Sequence, residues 1–561
     1  MDLWGLGVSE GIGIGKAVFI KEEKFDTAKL SADPNKETIR FADALTALAE
    51  ELESKADIAG QEQSEILQSH IILLNDPFIK EEIIKLIRAE ECNCEYSVET
   101  ILNQYIDMFC QSGDTLLEAR AVDLKDIKTG LLAKLSNTLM IDVSTLPSGT
   151  VLAAEELTTS IAAGINPENI TAIVTKEGGA TSHMAIIARS VGIPAVVGIL
   201  PQDIKNDVTV IVDGNTGKIV VSPSKEELEA YETKRAKLLA KKRELEAYRG
   251  KQSITKDNNK IYLFANVGLP MDIDQAVKSD AEGIGLFRTE FLFMNRSVEP
   301  TEQEQFTAYK KAAESFDEGG VIIRTLDVGG DKEIPYLEME KEENPFLGWR
   351  AIRYCLDRTQ IFETQIKAVL RASAFGCVKI MLPMISTAAE LYRAKAIIES
   401  VKRQLDVEKI AYDRDIEVGI MVETPAAAVM ADLLADEADF FSIGTNDLTQ
   451  YTMAVDRGNS KVAHLYSACD PAILRLIYHI AQSAKKHNIM CGVCGEAAAD
   501  TRLAKFFLGC GVGELSMSAG KVLQIREVIC SADTEELKKQ IDTRLPALVT
   551  VEQAEEFLAG L

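Results

Sequence analysis

"EVGIMVETPAAAVMADLLADEADFFSIGTNDLTQY", residues 417–451, sets two near-continuous apolar runs, EVGIMVE (417–423) and DFFSIGT (439–445), on either side of a stretch with helical spacing. An apolar run without alternation suits a strand buried on both faces, and a helix between two such strands is a parallel crossover unit. The same rhythm recurs in IYLFANV (261–267), EGIGLFR (282–288), VIIRTLD (321–327), VKIMLPM (378–384), IMCGVCG (489–495) and GELSM (513–517). Eight such runs separated by helical stretches predict a closed (β/α)8 barrel, in which chemistry gathers at the C-terminal ends of the strands.

Those ends carry a distinctive set of side chains. Arg288 ends the second run, Arg324 lies within the third and Glu423 ends the fifth. Asn446 and Asp447 follow the sixth, Cys494 and Glu496 close the seventh, and Arg350 (NPFLGWRAIR) and Arg457 (AVDRGN) come from loops beyond strands. The chain has 61 basic and 87 acidic residues, a net charge of -26, so arginines converging on one rim imply a local pocket for a multiply charged anion. Carboxylates on adjacent strand ends imply a hard cation, Mg²⁺ before others. Singly, each arginine fits a surface ion pair, each carboxylate a helix cap and Cys494 a buried structural thiol. Their joint occurrence on one face points to a site.

Upstream of the barrel the composition changes twice. Residues 1–22 read as strand-rich; GIGIGK (11–16) is not a phosphate loop, because Glu10 and Ala17 stand where glycine and a hydroxyl residue are needed. Residues 34–136 show helical spacing for about four helices, and 138–222 return to short apolar runs and glycine turns, so the helical block reads as an insertion in an α/β unit. Residues 224–250, dense in Glu and Lys, predict a solvated connecting helix about 40 Å long.

The whole chain fits a soluble, multidomain enzyme. It has 561 residues, 46% of them hydrophobic, no apolar stretch long enough for a membrane span, and an acidic residue at position 2 where a signal peptide would be basic. The charge disfavours nucleic-acid or anionic membrane partners. Ten scattered cysteines suit reduced thiols in the cytoplasm, and the Cys491–Cys494 pair lacks the second half of a zinc site.

One of only five histidines stands in GGATSHMAIIARSVGIPAVVG (178–198). His183 is predicted at a helix N-terminus after a glycine turn, where free N–H groups favour an anion and keep the imidazole neutral. A neutral ring nitrogen there suits a phosphoryl-accepting nucleophile, though a capping or packed histidine, or a lone metal ligand, also fits the local residues.

That stretch resembles the phosphohistidine signature of enzymes that take phosphate from phosphoenolpyruvate. LFRTEFLFM, RTLDVGGDK, NPFLGWRAIR, VETPAAA, FFSIGTNDLTQYTMAVDRGN and CGE are similar, in the same order, to enzyme I of the phosphoenolpyruvate-dependent sugar phosphotransferase system. The likeness covers nearly the whole chain, from GVSEGIGIGKA through EARAVDLKDI to the barrel. It implies a swivelling phosphohistidine α/β domain (1–22 and 138–222), an inserted helical subdomain (23–137) that docks a histidine-containing phosphocarrier protein, a connecting helix (223–255), and a barrel (256–561) that binds phosphoenolpyruvate and pairs into a homodimer. Residue by residue, it implies phosphate on Nε2 of His183, with Thr181 orienting the ring. Arg288, Arg324, Arg350, Asn446, Asp447 and Arg457 would bind phosphoenolpyruvate, Glu423 and Asp447 would hold Mg²⁺, and Cys494 would protonate the departing enolate to pyruvate. Hinges are expected near 20–35 and 136–146 and about the connecting helix. His70 matches a histidine of the docking subdomain, with a packed or surface role expected.

The chain departs from the family where GEAAAD (495–500) sets Ala497 and Ala499 into a pattern with glycine at 499, which puts the loop's shape and the positioning of substrate in question. Two rival readings share these motifs. A pyruvate phosphate dikinase or phosphoenolpyruvate synthase would need an ATP-binding domain for which no segment is evident, and a non-catalytic carrier-binding relative would have no use for His183, Cys494 and the arginine set.

Overall fold

The computed structural model describes residues 1–561 except 21–24, 59–60, 111–114, 139–142, 156, 158–160, 162–163, 177–184, 186–187, 190, 201–202, 271, 295, 297, 317–318, 330–333, 338, 341 and 460. The chain divides into two compact units, Met1–Lys242 and Arg243–Leu561.

In the first unit, eight strands form one mixed sheet: β1 (Asp2–Trp4), β2 (Leu6–Ser9), β3 (Ile12–Ile20), β4 (Thr150–Ala154), β5 (Ile170–Thr175), β6 (Ala195–Val197), β7 (Thr209–Asp213) and β8 (Lys218–Val221). Their order is β1-β8-β7-β3-β4-β5-β6-β2. β3 pairs in parallel with β4 and antiparallel with β7, so it sits near the middle of the sheet. Between β3 and β4 run α1 (Pro34–Ile58), α2 (Gln61–Leu74), α3 (Pro77–Glu90), α4 (Cys94–Cys110) and α5 (Thr115–Leu135). Five helices are thus described where the spacing predicts about four. Asp76 caps α3 directly before Pro77, and Cys94 starts α4 soon after α3 ends, so these breaks are too short to interrupt the apolar periodicity. Phe41, Leu48, Leu67, Ile83, Leu102 and Leu131 form part of this block's own core. His70 is 1% exposed with Nε2 3.0 Å from Asp123 Oδ1, the packed role expected of it.

The connecting helix α6 (Lys225–Glu246) buries none of its residues. Within the first unit its start is tied down: Leu228 and Tyr231 pack on Ile12, Ile211 and Val220, and Lys234 pairs with Asp213 at 2.7 Å.

The second unit holds all eight expected strands as a closed parallel barrel: β9 (Tyr262–Val267), β10 (Ile284–Arg288), β11 (Val321–Arg324), β12 (Val378–Leu382), β13 (Val418–Val422), β14 (Phe440–Ile443), β15 (Met490–Val493) and β16 (Glu514–Met517). One expectation shifts. β11 stops at Arg324, so this arginine ends its strand and lies in register with Arg288 on β10. The barrel is filled by Leu286, Ile322, Met381, Met421, Phe440 and Cys494, while a larger apolar layer packs the helices outside. Thr301 with Glu304, and Thr387 with Glu390, form capping boxes that start two of those helices. Among the described residues no helix is long and apolar enough to cross a membrane.

Arg526, 1% exposed, ties the segment after α6 to this barrel. It donates Nε to Ser253 Oγ at 3.2 Å and Nη1 to the Tyr248 carbonyl at 3.4 Å, and it pairs with Asp280 and, at 3.7 Å, with Glu282. Removing the buried guanidinium takes the counter-ion from the partly buried Asp280 and Glu282, so Arg526→Ala is expected to cost about 2–3 kcal/mol. Calorimetry of the full chain should then show the barrel's transition moved down while that of residues 1–242 stays in place.

Candidate active site at the barrel mouth

The C-terminal strand ends of the barrel carry a connected array of buried charges. Arg324, 6% exposed, places Nη2 2.7 Å from Glu290 Oε1 and Nη1 3.0 Å from Asp327 Oδ2. Asp327 turns its other oxygen to Arg350 Nη2 at 2.9 Å, and the same nitrogen lies 3.4 Å from Asp447 Oδ2. Arg350 Nη1 also donates to the Tyr451 hydroxyl at 3.1 Å. Burial alone would lower both guanidinium pKa values. The surrounding carboxylates outweigh it, Glu290 and Asp327 at Arg324 and Asp327 and Asp447 at Arg350, and both stay above the ordinary arginine range.

The backbone is arranged to allow this approach. Ala351 is held at φ 51° and ψ −126°, a costly conformation for alanine directly after Arg350. A Cβ on Gly329 (φ +102°) would lie 2.5 Å from Arg350 Cβ, so glycine is required where the loop after β11 meets the arginine. Glu423, one residue past β13, accepts the Met384 N–H at 2.6 Å, and Met384 is itself left-handed at φ 59°.

Glu423 is 2% exposed, and burial, then Asp447 and Asp327, push its carboxyl up to about 8 against the pull of Arg324 and Arg350. A side chain on Gly444 would come within 2.9 Å of Glu423 Oε2, so Glu423 packs against the turn entering the helix Thr445–Met453, whose first turn carries Asn446 and Asp447. Four carboxylates, Glu290, Asp327, Glu423 and Asp447, share two buried guanidiniums. This excess of negative charge, with oxygen donors only, fits a hard divalent cation between Glu423 and Asp447.

The far side of the mouth is built from β14 and β15. Asn446 Nδ2 donates to Glu496 Oε1 at 3.2 Å, and Asn446 Oδ1 accepts the Glu496 N–H at 3.2 Å. The Tyr466 hydroxyl donates to the Asn446 carbonyl at 3.2 Å and interacts with Arg457, an exposed residue of the following loop. Cys494, 2% exposed, turns its thiol into the barrel interior, and burial pushes its pKa up to about 12, so it carries its proton at neutral pH. Asn266 on β9 donates to its carbonyl at 3.0 Å.

Three families match the chain along its length. They are the N-terminal domain of PEP-utilising enzymes over residues 4–120, their mobile domain over 146–217 and their PEP-binding domain over 242–534. The phosphoenolpyruvate-protein phosphotransferase of Haemophilus influenzae is 41% identical over 99% of this chain and 98% of its own. That of Bacillus subtilis is 41% identical over 99% of each. The chain belongs to the phosphoenolpyruvate-protein phosphotransferase family. A solution structure titled as enzyme I (nEIt) is 33% identical over 42% of this chain and 99% of its own, with a TM-score of 0.39.

Of the residues expected from the family likeness, Arg324, Arg350, Glu423 and Asp447 fall into one contiguous cluster. Arg288 stands beside Arg324 in register, and its guanidinium has no ion pair among the described residues. Asn446, Arg457 and Cys494 lie on the β14–β15 side. His183 and Thr181 lie outside the described residues. Two members of the cluster were not anticipated, Glu290 and Asp327. Each follows a strand-end arginine by two or three positions inside an otherwise apolar run, a placement only a burial argument would have flagged. The departure at GEAAAD has a simple outcome: Ala499 closes a short 3-10 turn, Glu496–Ala499, without a positive φ, so the glycine usual in this family is not needed for the backbone.

Proposed function

We propose that this chain transfers the phosphoryl group of phosphoenolpyruvate to its own His183 and then to a histidine-containing phosphocarrier protein, releasing pyruvate, as the entry step of sugar phosphotransferase uptake. The observation that carries this reading is the buried Arg324–Asp327–Arg350–Asp447 array with Glu423 beside it, in a chain whose overall charge is -26. With a divalent cation offsetting its carboxylates and Arg288 and Arg457 beside it, such an array would present fixed positive charge to a small, highly charged anion that the rest of the protein would repel.

In this reading Arg288, Arg324, Arg350, Asn446 and Arg457 orient the carboxylate and phosphate of the substrate, with Asp447 closing the site. Glu423 and Asp447 hold Mg²⁺, which when bound neutralises charge on the phosphoryl oxygens. His183, oriented by Thr181, presents an uncharged Nε2 in line with the bridging oxygen. The N–P bond forms as the P–O bond to the enolate breaks, and positioning and charge stabilisation supply most of the rate. The Cys494 thiol then gives its proton to C3 of the enolate, completing pyruvate. The α/β portion (1–22 and 138–222) would carry the phosphohistidine, the helices of 23–137 would dock the carrier, and the segment 223–255 would join them to the barrel of 256–561. None of the ten cysteines is joined to another, an arrangement that suits a cytoplasmic setting.

The test is incubation of the full chain with labelled phosphoenolpyruvate, Mg²⁺ and a phosphocarrier protein. Acid-labile label on this chain, chased to the carrier without ATP, is expected; label that requires ATP would replace this reading with a dikinase.

A homodimer through the barrel is supported by Val429, Met430 and Leu433, exposed apolar residues close together where the short helices Pro425–Val429 and Ala431–Leu434 meet, Leu433 at 56%. Leu433→Glu is expected to shift the chain from dimer to monomer in sedimentation velocity. An unchanged sedimentation coefficient would move the dimer contact elsewhere.

A further inference from the structure

Beneath Cys494 lie buried polar atoms that the transfer chemistry does not use. Glu514, the first residue of β16, is 2% exposed, and its Oε1 is enclosed without a hydrogen-bond partner among the described residues. A Cβ on Gly492 would lie 1.8 Å from Glu514 Oε2, and one on Gly285 would lie 2.4 Å from Oε1. The carboxyl therefore fills the space that two glycines leave inside the barrel. Burial holds its proton, pushing the group up to about 8 against the pull of Lys379, whose own ammonium is paired with Glu417 at 2.6 Å.

Ser442, Gly492 and Glu514 share one rung of the barrel, Ser442 in register with Gly492 and Gly492 with Glu514. Residues on one rung present their side chains to the same face. Ser442 Oγ is also buried without a hydrogen-bond partner by distance and angle among the described residues, and it lies close enough to the Cys494 thiol to act on its ionisation. Cys494 stands two residues beyond Gly492, about 7 Å up the strand on the same face. Leu286, Ile322, Met381, Met421 and Phe440 pack with it inside the barrel and hold no exchangeable proton, and the nearby Asn266 amide is engaged with the Cys494 carbonyl and with Ser516. Two buried polar groups without partners, one rung below a proton donor, invite a functional explanation.

We propose that Glu514, acting through Ser442, restores to Cys494 the proton that it gives up in each turnover. The inference rests on the reading of Cys494 as the acid. When the S–H bond breaks and the C3–H bond of pyruvate forms, a thiolate remains in an apolar chamber. Turning about its χ1 to bring the hydroxyl within hydrogen-bond reach of each group in turn, Ser442 gives its hydroxyl proton to Sγ and takes the carboxyl proton of Glu514. The Glu514 carboxylate recovers a proton from water at the lower end of the barrel, where Lys379 and Glu417 are partly exposed. Glu514 and Ser442 touch no substrate; they keep the acid charged with its proton.

Rapid-quench and steady-state measurements on the full chain, with phosphoenolpyruvate, Mg²⁺ and saturating phosphocarrier, separate this role from a structural one. Glu514→Gln preserves the shape of the side chain. It is expected to phosphorylate His183 in the first turnover at the wild-type rate and with unchanged dependence on substrate concentration, then to slow in steady state by about tenfold or more. Ser442→Ala should show the same split, and the double variant should be no slower than the slower single variant. Ser442→Ala removes one oxygen only, so it reads the proposal even if Glu514→Gln fails to fold. Cys494→Ala should slow the formation of pyruvate in the first turnover itself; if it does not, the acid assignment fails and the relay with it. If Cys494→Ala is slow while both relay variants stay within about twofold of wild type in steady state, the relay alone is overturned. A first turnover slowed to the same extent as the steady state would also overturn it, by marking Glu514 as a packing residue.

Discussion

His183→Ala is expected to bring acid-labile labelling from phosphoenolpyruvate down to background, a fall on the order of 10⁶-fold, while substrate binding at the barrel stays intact. The size follows from the kind of role assigned. A nucleophile that forms the covalent intermediate has no substitute in the site, whereas groups that only stabilise charge share their work. The selectivity follows from the layout, because the buried arginines and carboxylates all belong to Arg243–Leu561 and His183 belongs to Met1–Lys242. Titration calorimetry with phosphoenolpyruvate and Mg²⁺ should therefore give the same affinity for the variant and the wild type. Persisting label on the variant, traced by mass spectrometry to another side chain, would remove the central step of the proposed reaction.

Arg324→Ala is the second large effect, and it should show in two measurements at once. As a fixed cation beside the transferring group, Arg324 is expected to contribute on the order of 10³–10⁵ to kcat/KM. Its loss also strands Glu290 and Asp327, both 2% exposed, without the guanidinium that compensates them, at a cost of about 3–5 kcal/mol to the barrel. Double replacement with Glu290→Gln should recover part of that stability, because the stranded charge is gone, and should recover none of the activity. A barrel that is destabilised yet retains kcat/KM within about tenfold of wild type would place Arg324 in the scaffold rather than against the substrate.

The barrel was legible in the sequence because its strands are buried on both faces. EVGIMVE and DFFSIGT leave no other reading once a helix-length spacer separates them, and all eight runs became strands. Strand ends were less legible. VIIRTLD reads as one apolar run, but the chain leaves the sheet after Arg324 so that Thr289 can donate to the Arg324 carbonyl at 2.7 Å and Asp327 can turn back between two arginines. Glu290 and Asp327 escaped notice for a related reason: their role is to neutralise side chains distant in sequence, and nothing in a local window records that. The helix count fell short because Asp76-Pro77 bends the chain within a single turn and keeps the apolar spacing nearly in phase. In the other direction, Ala499 suggested a disturbed loop, yet its backbone stays in the common negative-φ region, where alanine and glycine serve equally well.

Asp327 gives one oxygen to Arg324 and the other to Arg350, at 3.0 Å and 2.9 Å, and so fastens the end of β11 to the loop that carries Arg350. These two stretches cannot diverge separately. Anyone wishing to retarget the barrel mouth to another anion by loop grafting would have to transplant both together, since the Arg350 loop alone would arrive without Asp327 and the end of β11 alone would bring an Asp327 with one oxygen unpaired.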